Sequence, residues 1–276
     1  MATARLRWHV CDIGTGPDVV LLHGAGGSAH GWDGLLPHLT STFRITAPDL
    51  PGHGCTERPF SSGPGEGLGL SGMAGSVMEL LAALERRPRL VVGHSAGAAV
   101  GLEIVRRGGG DAWVGINPAL AGGGRPDLPE ALLDPVRPLL RSRMAAHLVA
   151  ALARNTRIVE RLLESTGSSS LPPASRRVYR ELLADPDHAA AVMEMMTVWE
   201  PDPLDDALES IGAPCLVVVG TEDGWVDPEA GRTVARRIPG ARLVELSGVG
   251  HLAAEEDPDA VAEALLAFAR EVVPSA

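Results

Sequence analysis

Between residues 90 and 107 the chain passes from an apolar run, through Gly93-His94-Ser95-Ala96-Gly97, into a helical pattern. Few backbones accommodate that passage. The turn is so tight that a Cβ at position 93 or 97 would collide with its neighbours, and glycine removes that atom. A strand-turn-helix context is what a G-x-S-x-G elbow demands. The turn holds the Ser95 hydroxyl exposed above the end of a strand, at a helix N-terminus. The free N–H groups and positive dipole end there favour a developing negative charge on a bound group.

The rest of the chain supplies a sheet for this turn. Val19–His23, Phe43–Ala47, Leu90–Gly93, Trp113–Ile116 and Cys215–Gly220 are short, almost continuous apolar runs, the pattern of strands covered on both faces. Arg242–Leu246 reads as the last strand. Helical patterns lie between them at His30–Thr40, Ser71–Arg86, Ala96–Arg107 and Pro228–Arg237. A final helix is expected over Pro258–Val272, with Asp257 as N-cap and Pro258 in its first turn. Strand-helix alternation predicts an α/β architecture: a mostly parallel, doubly wound sheet. The alternation lapses from about 118 to 212. There Leu132, Val136, Leu139, Leu140, Met144, His147, Leu148 and Ala151 recur at helical spacing as one apolar face. We therefore expect residues 1–117 and 213–276 to form the core and 118–212 an inserted helical cap. Ala121–Pro129 and Ser165–Pro173 read as linkers, and the glycine-rich stretch 61–69 as a mobile connection.

A serine hydroxyl becomes a strong nucleophile only when a base takes its proton. His251 follows the last strand and is the expected base. Asp223 lies three residues beyond the strand Cys215–Gly220 and is the expected acid, holding the imidazole in one tautomer and stabilising the imidazolium. Both sit at carboxyl ends of strands, where open α/β sheets build their sites. Glu222 and Asp227 are rival acids, which strand-end geometry places behind Asp223. Two backbone donors should face the oxyanion: the N–H of Ala96, just after the serine, and that of Ala25 in the loop His23-Gly24-Ala25-Gly26-Gly27.

Competing readings stand beside these. Gly24, Gly26 and Ala29 after a strand, with Asp49 further on, imitate a dinucleotide fingerprint, but the histidine before Gly24 and the later Ser, Asp, His order argue against it. His94 points away from the serine as a structural residue, and His53 belongs to a loop near the site. His147 reads as a core histidine of the cap or a pocket residue. Met193, Met195, Met196 and Trp199 either pack the cap or line a large apolar pocket, and Trp32 either packs or faces it. No histidine pair has metal-ligand spacing, so neither metal nor cofactor is expected. The net charge of −11 argues against nucleic acid and anionic membrane surfaces. Three scattered cysteines, no signal core and no run near 20 apolar residues point to a cytoplasmic protein without a membrane span.

With these residues in place the chain resembles the α/β-hydrolase fold family. Within that fold, FRITAPDLPGHGCTERP (43–59), LSGMAGSVMELLAAL (70–84), RLVVGHSAGAAVGLEI (89–104) and VGINPALAGGG (114–124) are similar to the magnesium-chelatase accessory proteins of bacteriochlorophyll biosynthesis. Ser95, Asp223 and His251 match the triad positions of that family. The resemblance implies a role beside magnesium insertion into protoporphyrin, with a tetrapyrrole or chelatase subunits as partners. Two functions follow as expectations. One is a serine hydrolase cleaving an ester or thioester of a small-molecule substrate through an acyl-enzyme. The other is a non-catalytic accessory protein that retains the triad.

Overall fold

Seven strands form one sheet in a computed structural model that describes residues 1–3, 6–59, 67–122 and 142–273. They are β1 (Val10–Gly14), β2 (Asp18–Leu22), β3 (Arg44–Pro48), β4 (Leu90–His94), β5 (Trp113–Ile116), β6 (Cys215–Gly220) and β7 (Arg242–Leu246). Their spatial order is β1-β3-β2-β4-β5-β6-β7. Every pairing is parallel except β1 with β3. The sequence reading missed β1. It is a half-exposed edge strand (Ile13 is 47% exposed) and lacks the apolar run of a strand covered on both faces.

The period of two in the strands explains the layers. Val20, Leu22, Val91, Trp113, Val217 and Val219 point into one core. Their neighbours Val19, Leu21, Val92, Val114, Leu216 and Val218 point into the other. Each such side chain, fully buried, contributes about 1.5–3 kcal/mol relative to exposure. Helices cover both faces, in chain order α1 (Leu36–Leu39), α2 (Leu70–Ala83), α3 (Ala96–Arg106) and, beyond the insertion between β5 and β6, α9 (Pro228–Arg237), α10 (Ala253–Glu256) and α11 (Pro258–Val272). The first core is closed by α2, α3 and α9, and the second by α1 and α11. Asp257 caps α11, its carboxylate accepting from Ala260 N at 3.0 Å. The single helix expected over His30–Thr40 is instead a 3₁₀ turn, Ala29–Trp32, followed by the four-residue α1. Gly31 and Gly34 weaken a continuous helix there, and Pro37 starts a new turn.

Between β5 and β6 the described chain is helical, giving the cap: α4 (Arg143–Ala153), α5 (Thr156–Ser165), α6 (Pro173–Leu183), α7 (Pro186–Thr197) and α8 (Asp202–Asp205). Its packing corrects the sequence reading. Met144, His147, Leu148 and Ala151 face solvent, with Met144 74% exposed, while Ala146, Ala150 and Ala153 are buried. Small side chains let α4 approach α7 closely, so the alanine stripe, not the stripe of larger residues, forms the contact. Leu132, Val136, Leu139 and Leu140, with most of the stretches 121–129 and 61–69, lie outside the described residues. No helix among the described residues is long and apolar enough to cross a membrane.

Candidate active site

The order of strands reverses at β2: β3 lies on one side of it and β4 on the other. The space beyond the carboxyl ends of β2 and β4, at that reversal, is the usual position of a site in such sheets. Ser95 stands there with φ +53° and ψ −120°, a conformation costing a non-glycine residue on the order of 1–3 kcal/mol. The surroundings hold it. Its N–H donates to Ile116 O at 2.9 Å, and its carbonyl accepts from Ala98 N at 3.0 Å and Ala119 N at 3.2 Å. A Cβ on Gly93 would overlap the Gly97 carbonyl, and one on Gly97 would overlap the carbonyls of Leu22 and His23.

Gly24 presses against the same elbow: a Cβ there would lie 3.0 Å from Ser95 Cβ and 3.0 Å from His94 Nδ1. The following turn closes through Gly27 N to Gly24 O at 3.1 Å, with Gly26 at φ +74°. Ala25 occupies that turn. Ala96 opens α3, where a helix leaves its first N–H groups without intrahelical acceptors. His23 fixes the turn, donating from Nδ1 to Gly24 O at 2.8 Å and accepting Leu50 N on Nε2 at 2.8 Å. Asp49 braces the next loop, accepting from Ala29 N at 2.7 Å and Cys55 N at 2.9 Å. Both its oxygens are thus engaged within the chain, so the feature that imitated a ribose-binding acid is a loop brace.

The imidazole of His251 donates from Nδ1 to Asp223 Oδ2 at 2.7 Å, and the side chains are 3% and 1% exposed. The other carboxylate oxygen, Oδ1, accepts from Trp225 N at 2.8 Å and Val226 N at 2.9 Å. Of the rival acids, Glu222 is exposed, and Asp227 is an exposed N-cap whose Oδ1 accepts from Glu229 N at 2.9 Å. The His251 ring packs on His94, with centroids 4.7 Å apart, and beside Trp225 at 5.5 Å. His94 Nε2 donates to His251 O at 2.7 Å, and burial pushes the His94 pKa down to about 3, so it is neutral. No hydrogen bond joins the Ser95 hydroxyl to the His251 ring among the described residues. In unliganded sites such bonds are often long and tighten around substrate.

The structure adds residues that sequence reading left without a role. Asn117, at φ +45° beyond β5, donates from Nδ2 to Gly250 O at 3.1 Å and His251 O at 2.9 Å, and accepts Gly220 N at 2.8 Å. It ties the end of β6 to the histidine loop. His188, on cap helix α7, accepts Gly54 N on Nδ1 at 3.0 Å and packs on His53, which packs on His23, with 5.4 Å between centroids in each case. Asn117 lies in the segment 114–124 that carries the family resemblance, and His188 stands between Asp187 and three alanines; neither setting carries a local signal for these contacts.

The pocket candidates do not gather at one surface. Trp32 is buried in the core under the sheet with Leu21, Leu35 and Leu39. His147 is exposed, its Nδ1 bonded to Arg143 O at 3.0 Å, and Met196 is 63% exposed. Met193 is half-buried, and Trp199 packs half-buried against the first core. The reason is rotational: on α7, Met195 takes the inward position and is 2% exposed, which turns its neighbour Met196 outward. No group of three His, Cys, Asp or Glu among the described residues could hold a metal ion.

An elbow serine, a loop pressed against it and an Asp-His pair on adjoining strand ends are features of a large class of enzymes. Residues 19–264 match the model of the alpha/beta hydrolase family, and the chain belongs to that family. It is 34% identical over 277 residues to the magnesium-chelatase 30 kDa subunit of Rhodobacter capsulatus, covering 96% of this chain and 93% of that protein. It is 29% identical over 280 residues to the pimeloyl-acyl-carrier-protein methyl ester esterase of Edwardsiella ictaluri (strain 93-146), covering 96% and 97% respectively. A solved structure of a hydrolase from Pseudomonas aeruginosa PA01 superposes with a TM-score of 0.71 at 26% identity, covering 95% of this chain and 93% of that one.

Proposed function

We propose that the protein is a cytoplasmic serine hydrolase that cleaves a carboxylic ester or thioester through an acyl-enzyme. Ser95 attacks the carbonyl, His251 takes the hydroxyl proton and returns it to the leaving group, and Asp223 stabilises the imidazolium. The N–H groups of Ala25 and Ala96 receive the oxyanion, and water then releases the acid. The observation that carries this reading is the buried His251–Asp223 bond, held on two strand-end loops beside a strained serine elbow. Similarity to a methyl ester esterase over almost the whole chain favours an ester as substrate. A fluorophosphonate should label the wild-type protein and leave Ser95→Ala unlabelled. Absence of labelling in folded wild type would refute the assignment.

A second reading rests on the similarity to the magnesium-chelatase 30 kDa subunit. In it the protein serves magnesium insertion in bacteriochlorophyll biosynthesis, binding a tetrapyrrole or chelatase subunits, with the triad retained but idle. Restoration of pigment in a deficient strain by Ser95→Ala would favour this reading, and failure by the folded variant would favour chemistry. On either reading, residues 118–212 form the cap and the remainder the core.

A further inference from the structure

The stretch after α5, which sequence reading treats as a linker, runs between the two loops that carry Asp223 and His251. Thr166 is fully buried, and its carbonyl accepts from both of them: Gly224 N at 3.1 Å and His251 N at 2.9 Å. Ser168, 3% exposed, accepts Leu252 N on its hydroxyl at 3.0 Å. Ser169 N and Gly250 N meet on the carboxylate of Glu256, at 2.7 Å and 2.8 Å. On the acid side, Trp225 Nε1 donates to Ser165 Oγ at 3.0 Å.

Three glycines set how closely these segments approach. Gly167, at φ +77°, has no room for a Cβ because the Glu222 carbonyl occupies the space. A Cβ on Gly224 would overlap the Ser165 carbonyl, and one on Gly250 would overlap Ser168 N. Backbones meeting at such distances with paired donors and acceptors form a rigid contact. An imidazole and a carboxylate can keep a short bond only while the loops beneath them keep their separation.

We propose that residues 165–168 of the cap are a positioning bridge that holds His251 and Asp223 in register, so that the base is aligned only while the cap is seated. Thr166, Gly167 and Ser168 touch no reacting atom and act through the two loops. The inference rests on the hydrolase reading for its kinetic consequence, but not for its geometry.

The test compares wild type with Ser168→Ala, Ser168→Thr and Gly167→Ala, using 4-nitrophenyl butyrate as probe and the downfield Nδ1 proton resonance of His251. Ser168→Ala is expected to lower kcat by about tenfold to a hundredfold, in line with a displacement of about 1 Å, with KM within about twofold. Its downfield resonance should shift or broaden, and Ser168→Thr, which keeps the oxygen, should restore both. Gly167→Ala should have the larger effect where it folds. The bridge is refuted if Ser168→Ala keeps both kcat and the resonance, or if kcat per folded molecule is unchanged and only the melting temperature falls. Should wild type show neither turnover nor Ser95 labelling, the hydrolase reading fails while the resonance still decides the bridge.

Discussion

Replacing Asp223 with Asn tests the proposed triad at the contact the structure defines best. Asp223 Oδ1 accepts two backbone N–H groups, from Trp225 and Val226, so an asparagine must place its carbonyl oxygen there. Its NH₂ then faces His251 Nδ1, where the wild type has an acceptor at 2.7 Å. The imidazole has to turn to the other tautomer, with its proton on Nε2, and that nitrogen cannot take a proton from Ser95. The lost charge adds to this. At about 4 Å between charge centres and an effective dielectric near 20, the attraction between imidazolium and carboxylate is about 4 kcal/mol. That alone is about three decades of rate. The same replacement in a serine-protease triad costs about 10⁴ in kcat. We expect kcat for 4-nitrophenyl butyrate to fall by about 10³- to 10⁴-fold, with the melting temperature within a few degrees because both backbone bonds survive. A folded Asp223→Asn protein retaining more than a tenth of wild-type kcat would refute the assignment. Loss of activity in Asp227→Asn or Glu222→Gln instead would transfer the role to a rival.

Two further outcomes follow from the packing. Gly97→Ala sets a methyl against the carbonyls of Leu22, the last residue of β2, and His23 just beyond it, and should destabilise the protein by about 3 kcal/mol or more in urea unfolding; a cost under about 1 kcal/mol would contradict the elbow geometry. Burial lowers the pKa values of His94 and His188 to about 3 and about 4, so the folded state refuses protons that the unfolded chain accepts below about 6.5. Stability should therefore fall between pH 7 and pH 5 by on the order of a few kcal/mol, and His188→Gln should flatten that slope; a flat profile in the wild type would overturn it.

Much of the site was legible in the chain because its signals are local. Backbone sterics over five residues make Gly93, Gly97 and Ser95 an elbow. Continuous apolar runs mark β2, β4 and β6 as strands covered on both faces, and an Asp-Pro pair starts α11. Such features depend on neighbours within a turn or two, so the order of residues suffices to read them. The place of Asp223 after β6 marks it as a candidate acid, but that its carboxylate, and not that of Glu222 or Asp227, meets the His251 ring is a matter of packing.

Tertiary structure alone decided where distant segments meet. Periodicity in α4 marks a stripe of Met144, His147 and Leu148, yet close helix packing buries Ala146, Ala150 and Ala153. The edge strand β1 carries no pattern of its own and exists because β3 offers it a ladder. Thr166 and Ser168 read as linker residues, because nothing nearby reveals that their partners lie some 60 to 85 positions further on. Local order determines which conformations each segment can adopt. Which segments are buried against one another depends on the free energy of the whole packed chain, and that sum is taken only when the protein folds.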